Sequence, residues 1–74
     1  MRELVLYLAR SLVDQPDEVT VEETEGPEAV ILELHVAPDD MGKVIGKQGR
    51  IAKAIRSVVK AATEKGGKPV FVEI

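Results

Sequence analysis

Cysteine and tryptophan are absent from this 74-residue chain, and Tyr7 and Phe71 are its only aromatic residues. Without thiols, neither a disulfide framework nor a zinc–thiolate site can staple the fold, which fits a reducing compartment and a cytoplasmic address. With so few rings, the aromatic RNP pattern of one common RNA-binding fold is missing too. Long apolar runs are also lacking. The opening MRELVLYLARSLV is interrupted by Glu3 and Arg10 and has no small-residue cleavage site after it, so neither export nor a membrane span is expected. His35 is the single histidine, and it is expected at the surface of a strand, opposite Leu34 and Val36 and beside Glu33. The sequence shows no His/Cys/carboxylate cluster at ligand spacing, and Ser11 and Ser57 sit on predicted helices without an obvious base. No catalytic residue, metal, cofactor or small-molecule substrate is therefore expected.

What the chain does have is a division of charge. Residues 1–40 hold two basic and eleven acidic residues, residues 41–74 hold eight basic and two acidic, and the net charge is −3. A basic surface on an acidic body points to an anionic partner. At this length residues 1–74 form one domain, with a core large enough for only a modest stability margin.

Hydrophobic periodicity predicts the order helix, strand, strand, helix, helix, strand, an α+β chain with one face of a three-stranded sheet covered by helices. Leu4, Val5, Leu8 and Leu12 fall at helical spacing over Arg2–Val13, and Asp14-Gln15-Pro16-Asp17 stops the helix. Leu6 and Val13 lie to one side of that stripe and either widen the core face or mark a self-association surface. Val19 and Val21, then Val30, Leu32, Leu34 and Val36, alternate with polar residues on either side of Glu25-Gly26-Pro27-Glu28, as in a hairpin. Pro38-Asp39-Asp40 starts a short helix, with Asp39 as its expected N-cap, that carries Met41, Val44 and Ile45 up to a glycine loop. From Arg50 to about Glu64, Ile51, Ile55, Val58 and Ala62 form an apolar stripe, with Lys53, Arg56 and Lys60 opposite. Gly66-Gly67 ends that helix, and Val70, Val72 and Ile74 point inward on the last strand.

The segment MGKVIGKQGR, Met41–Arg50, concentrates the chemistry. Gly46-Lys47-Gln48-Gly49 lies between two helices, where the unpaired first-turn amides of the second helix favour an anion. Glycines at 46 and 49 remove Cβ atoms that would hold a sugar-phosphate backbone away, and Lys47 and Arg50 add charge at the same spot. This is the GXXG spacing by which KH domains clamp about four nucleotides of single-stranded nucleic acid. Spacing alone is weak, but the preceding Val44-Ile45, the following basic helix and the order of elements give it context. A Walker loop fails because Gly42 to Gly46 encloses three residues and Lys47 is followed by Gln48, and no G-X-G pair supports a dinucleotide fingerprint.

Across essentially its whole length, and most specifically in VAPDDMGKVIGKQGRIAKAIRSVVKAA, the chain resembles the KhpA family of small bacterial KH-domain RNA-binding proteins. The resemblance implies the type II KH arrangement, order αββααβ with a mixed sheet. It implies cytoplasmic binding of single-stranded RNA, an RNA-chaperone or post-transcriptional role, an effect on cell shape and envelope growth, and pairing as a homodimer or with the larger KH-containing partner KhpB. Carried onto this sequence, Gly46, Lys47, Gln48 and Gly49 are the phosphate clamp. Val44 and Ile45 belong to the groove floor, Lys43, Arg50 and Lys53 to its charged rim, and Gly42 allows close approach beneath it. The loop EETEGPE, with Glu22, Glu23, Glu25 and Glu28, corresponds to a second groove wall that would repel phosphate, or to a solvated hairpin tip remote from the strand. Two other readings stay open on the residues: single-stranded DNA as the ligand, and a protein-interaction module whose basic helix engages an acidic partner.

Overall fold

The computed structural model describes residues 1–63 and 66–74. Its elements are α1 (Arg2–Leu12), β1 (Thr20–Glu25), β2 (Val30–His35), α2 (Met41–Ile45), α3 (Arg50–Ala62) and β3 (Val70–Glu73), with single 3₁₀ turns before β1, before α2 and before α3. The end expected for α3 near Glu64 lies outside the described residues. The sheet order is β1-β2-β3, with β1 antiparallel and β2 parallel to β3. A tight hairpin joins the first two strands, and the α2–α3 crossover that a parallel pair requires joins the last two. This is the type II KH arrangement, αββααβ with a mixed sheet.

Burial reports how each helix is rotated on the sheet. In α1 the buried residues are Val5, Leu6 and Ala9, and in α3 they are Ala52, Ile55 and Val59. Both stripes are displaced from the expected ones: Leu12 and Val58 are exposed, as is Ala62. Leu8, Leu12, Ile51 and Val58 turn toward the seam between α1 and α3. Leu6 is fully part of the core and Val13 packs against it, so these two widen the core face. From the strands, Val21, Leu32, Leu34 and Val72 complete the interior.

Asp40 locks the crossover to the rest of the fold. Its side chain is 1% exposed, and it accepts hydrogen bonds from the Asp14 amide at 3.2 Å and the Gln15 amide at 3.0 Å. The expected cap Asp39 takes no such role: Asp40 occupies the N-cap position of α2, and its carboxylate is spent on the α1–β1 connection rather than on its own helix.

Candidate nucleic-acid interface

α2 stops because the chain leaves helical geometry at Gly46, whose φ of 75° and ψ of 175° belong to a region essentially reserved for glycine. Its amide still closes the last turn onto the Gly42 carbonyl at 2.8 Å. Gln48 (φ 58°) and Gly49 (φ 72°) are both left-handed, so two successive residues with positive φ turn the backbone into α3. The two glycines serve different ends. A Cβ on Gly46 would sit 2.4 Å from Ile51 Cγ1, whereas a Cβ on Gly49 or Gly42 would meet nothing within 4 Å. Gly46 is required by the protein itself; at Gly49 and Gly42 an added side chain would meet open space.

Gly49 is the N-cap of α3 and offers no side chain to it, so the first-turn amides of this 13-residue helix have no side-chain cap. The side chains of Lys47, Gln48, Arg50 and Lys53 are exposed around that terminus, and among the described residues their one polar side-chain contact is a long 3.5 Å approach between Arg50 Nη2 and Gln48 Oε1. Uncapped amides, the helix dipole and three cations thus converge on one exposed loop.

Two of the predicted site residues are engaged within the fold itself. Val44 is 0% exposed and belongs to the core, because one turn of α2 cannot present both members of Val44-Ile45 to solvent; Ile45, 36% exposed, is the surface member. Lys43 is ion-paired with Asp14 and, at 3.3 Å, with Asp40. The hydrogen bond to Asp14, aided by Asp40, raises the Lys43 pKa against its partial loss of water. Burial opposes the Asp40 charge, but the Asp14 and Gln15 amides and the Lys43 ammonium outweigh it and hold the Asp40 pKa below its ordinary value. Lys43 therefore ties α2 to the α1–β1 connection.

The acidic hairpin tip lies apart from the glycine loop, the second of the two placements open to it. Glu25 pairs with Val30, Val30 with Val70, and Lys68 reaches both Glu25 Oε2 (2.8 Å) and the Gly26 carbonyl (3.0 Å). The tip thus adjoins the start of β3, past the C-terminal end of α3, while the glycine loop precedes the N-terminal end. The length of α3 alone, ~20 Å, separates those ends.

The tip is not beside the glycine loop, but it borders the far end of a cleft that runs along α3. β3 is an edge strand beside α3, and the two enclose a cleft of about 460 Å³ lined by Arg56, Lys60, Thr63, Pro69, Val70, Phe71 and Val72. Arg56 Nε donates to the Val72 carbonyl at 3.0 Å, so one rim cation already lies across this strand. Sequence reasoning put Arg56 and Lys60 on a basic helix face but not in the site. The spacing of Lys53, Arg56 and Lys60, three then four, continues the line of Lys47 and Arg50 and was the available signal. A second cleft of about 470 Å³ lies between α1 and α3 and is mostly apolar, with Tyr7 70% exposed at its edge.

The strands bring together one group that the sequence did not reveal. Glu22 pairs with Glu33, and His35 lies two residues along the same face, with its Nε2 3.5 Å from Glu33 Oε2; one ligand atom from each residue lies within 4.8 Å of the others. His35 is exposed, as expected.

A family model described as KhpA/KhpB, KH domain, matches residues 2–74. The RNA-binding protein KhpA of Clostridium perfringens is 66% identical over 74 residues, covering 100% of this chain and 99% of that protein. The protein of the same name from Clostridium acetobutylicum is 65% identical with the same coverage, and that from Aquifex aeolicus is 49% identical, covering 100% of this chain and 94% of its own. Among solved structures, Era in complex with MgGDPNP and nucleotides 1506–1542 of 16S ribosomal RNA aligns with 97% of this chain at a TM-score of 0.60 and 24% identity. This chain spans 28% of that Era chain, and the likeness is one of fold. With its mixed sheet, its glycine loop between α2 and α3 and a match over nearly every residue, the chain belongs to the KhpA/KhpB KH-domain family, a family of binding modules rather than enzymes.

Proposed function

We propose that this chain binds single-stranded RNA through the Gly46–Gly49 loop. The observation that carries the reading is the uncapped N-terminus of α3, with open space at Gly49 and flanked by Lys47, Arg50 and Lys53. Phosphate oxygens accept hydrogen bonds from the first-turn amides, and the cations neutralise the remaining charge. From the loop the strand continues along the cleft between α3 and β3, where Arg56 and Lys60 follow the backbone and the β3 edge meets the bases. A path of about four nucleotides fits one such module. A phosphate clamp does not itself distinguish RNA from single-stranded DNA; the names of the relatives favour RNA.

A single module of this size binds weakly, and pairing two modules raises avidity by making the second contact intramolecular. The apolar cleft between α1 and α3 suits such pairing, either with a second copy or with KhpB. The cytoplasmic location, the RNA-chaperone or post-transcriptional role and the link to cell shape and envelope growth rest on the resemblance to KhpA.

The test is binding of a fluorescent single-stranded RNA pool by the wild type and by Lys47→Asp/Gln48→Asp across a salt series. Loss of binding in the variant, with a wild-type slope of about −0.7 per phosphate contact, supports the clamp. Equal binding by both proteins would sink it.

A further inference from the structure

The helices cover one face of the sheet and leave the other bare. On that bare face the register sets Glu22 beside Glu33 and Glu33 beside Glu73, so three glutamates form a row across all three strands. Neighbouring strands are about 4.8 Å apart, which makes the row about 10 Å long. Like charges placed directly opposite each other destabilise a sheet. The strand residues of this face include no lysine or arginine; only His35 beside Glu33 carries a basic group. One row further along the strands, Ile31 pairs with Phe71, which is 55% exposed. The face therefore couples an acidic row, with His35 as its one basic neighbour among the strand residues, to an apolar pair of which Phe71 is exposed and Ile31 half-buried, on the side of the sheet away from the α1–α3 layer.

We propose that this bare sheet face docks an extended, arginine- or lysine-rich segment of a partner protein. Alternate residues of an extended segment lie about 6.7 Å apart, so two cations on one side of it can sit between the three carboxylates. A single ion could not reach across the whole row, while guanidinium groups can bridge neighbouring carboxylates. An apolar residue of the segment then seats on Ile31 and Phe71 and supplies contact that charge alone does not. The row repels nucleic acid, so the segment keeps to the bare sheet face and an RNA to the glycine loop and the α3–β3 cleft, the two approaching each other only at Phe71, which also lines that cleft. Basic segments are common in proteins that themselves touch RNA, and this arrangement would hold such a partner and the strand together.

The experiment uses ¹⁵N-labelled protein and a peptide of alternating arginine and valine, with an arginine–serine peptide of equal charge as the control. Chemical-shift changes are expected on β1, β2 and β3, and the valine peptide should bind more tightly than the serine one. The triple substitution Glu22→Gln/Glu33→Gln/Glu73→Gln should weaken binding roughly tenfold or more, leave RNA binding within about twofold, and raise thermal stability by relieving repulsion. Phe71→Ser should remove the preference for valine. No binding, shifts confined to the α1–α3 cleft or the glycine loop, or binding indifferent to the triple substitution would overturn the proposal. So would stoichiometric Zn²⁺ binding at Glu22, Glu33 and His35 that displaces the peptide, which would make the face a cation site.

Discussion

Gly46 lies against Ile51 so closely that a Cβ would come 2.4 Å from Ile51 Cγ1 and 2.9 Å from its Cβ. The contact joins the end of α2 to the first turn of α3 and sets the path of the loop between them. Gly46→Ala should cost more than about 2 kcal/mol, because it combines a glycine-only backbone region with a steric overlap. Gly49→Ala has open space and only a left-handed φ to bear, so it should cost about 1–2 kcal/mol. Urea unfolding of the two variants checks the order; equal costs would contradict the division of roles.

Lys43 and Lys47 should separate stability from binding. Lys43→Ala removes the cation shared by Asp14 and Asp40, so it should lower the melting temperature by roughly 4–8 °C with little change in RNA affinity. Lys47→Ala should leave melting unchanged and flatten the salt dependence of RNA binding by about one phosphate contact. Calorimetry and a salt titration on both variants read the two effects side by side.

Arg56 spans from α3 to the Val72 carbonyl on β3. Arg56→Gln keeps a donor but loses the charge, so RNA affinity should fall several-fold while the β3 amides keep their hydrogen-exchange protection. Arg56→Ala should lower both. If the two variants prove identical in exchange, the carbonyl contact does not hold the strand.

Val58, exposed at the α1–α3 cleft, is the place to test pairing. Val58→Asp should shift sedimentation toward monomer and weaken binding to long RNA more than to a four-nucleotide RNA, because only the long ligand gains from two linked modules. Unchanged sedimentation would remove the cleft as a pairing surface.

The Asp40–Lys43 pair predicts a specific pH dependence. Because the Asp40 pKa lies below its ordinary value of 3.8, its contribution is present above that value and is lost as pH falls through the lower, folded one. Because the Lys43 pKa lies above its ordinary value of 10.5, its contribution is present below that value and is lost as pH rises through the higher, folded one. Urea midpoints should show no contribution from this pair to any slope between those limits, and a fall in acid. Asp40→Asn should start lower and show less of the acid fall.

The elements were legible because local chemistry sets them: alternation in Val30–His35, the Gly26-Pro27 break, and the positive-φ demand met by Gly46 and Gly49. The rotation of the helices was not. For α1 and α3 the largest aliphatic residues suggested one stripe, and the folded chain buries Ala9 and Ala52 in preference to Leu12 and Val58. Which side of each helix is buried depends on how the helices pack on the sheet and on each other, which a hydrophobicity pattern does not contain.

By itself the sequence determined the αββααβ order, the glycine loop and the basic helix that follows it, because each depends on residues within a few positions of one another. Only the tertiary structure decided that Lys43 is tied to Asp14 and Asp40, that the acidic hairpin tip lies past the far end of α3 from the loop, and that Glu22, Glu33 and Glu73 share a row. Those relationships join residues from distant parts of the chain, and strand register and helix packing, rather than local spacing, determine which of them meet.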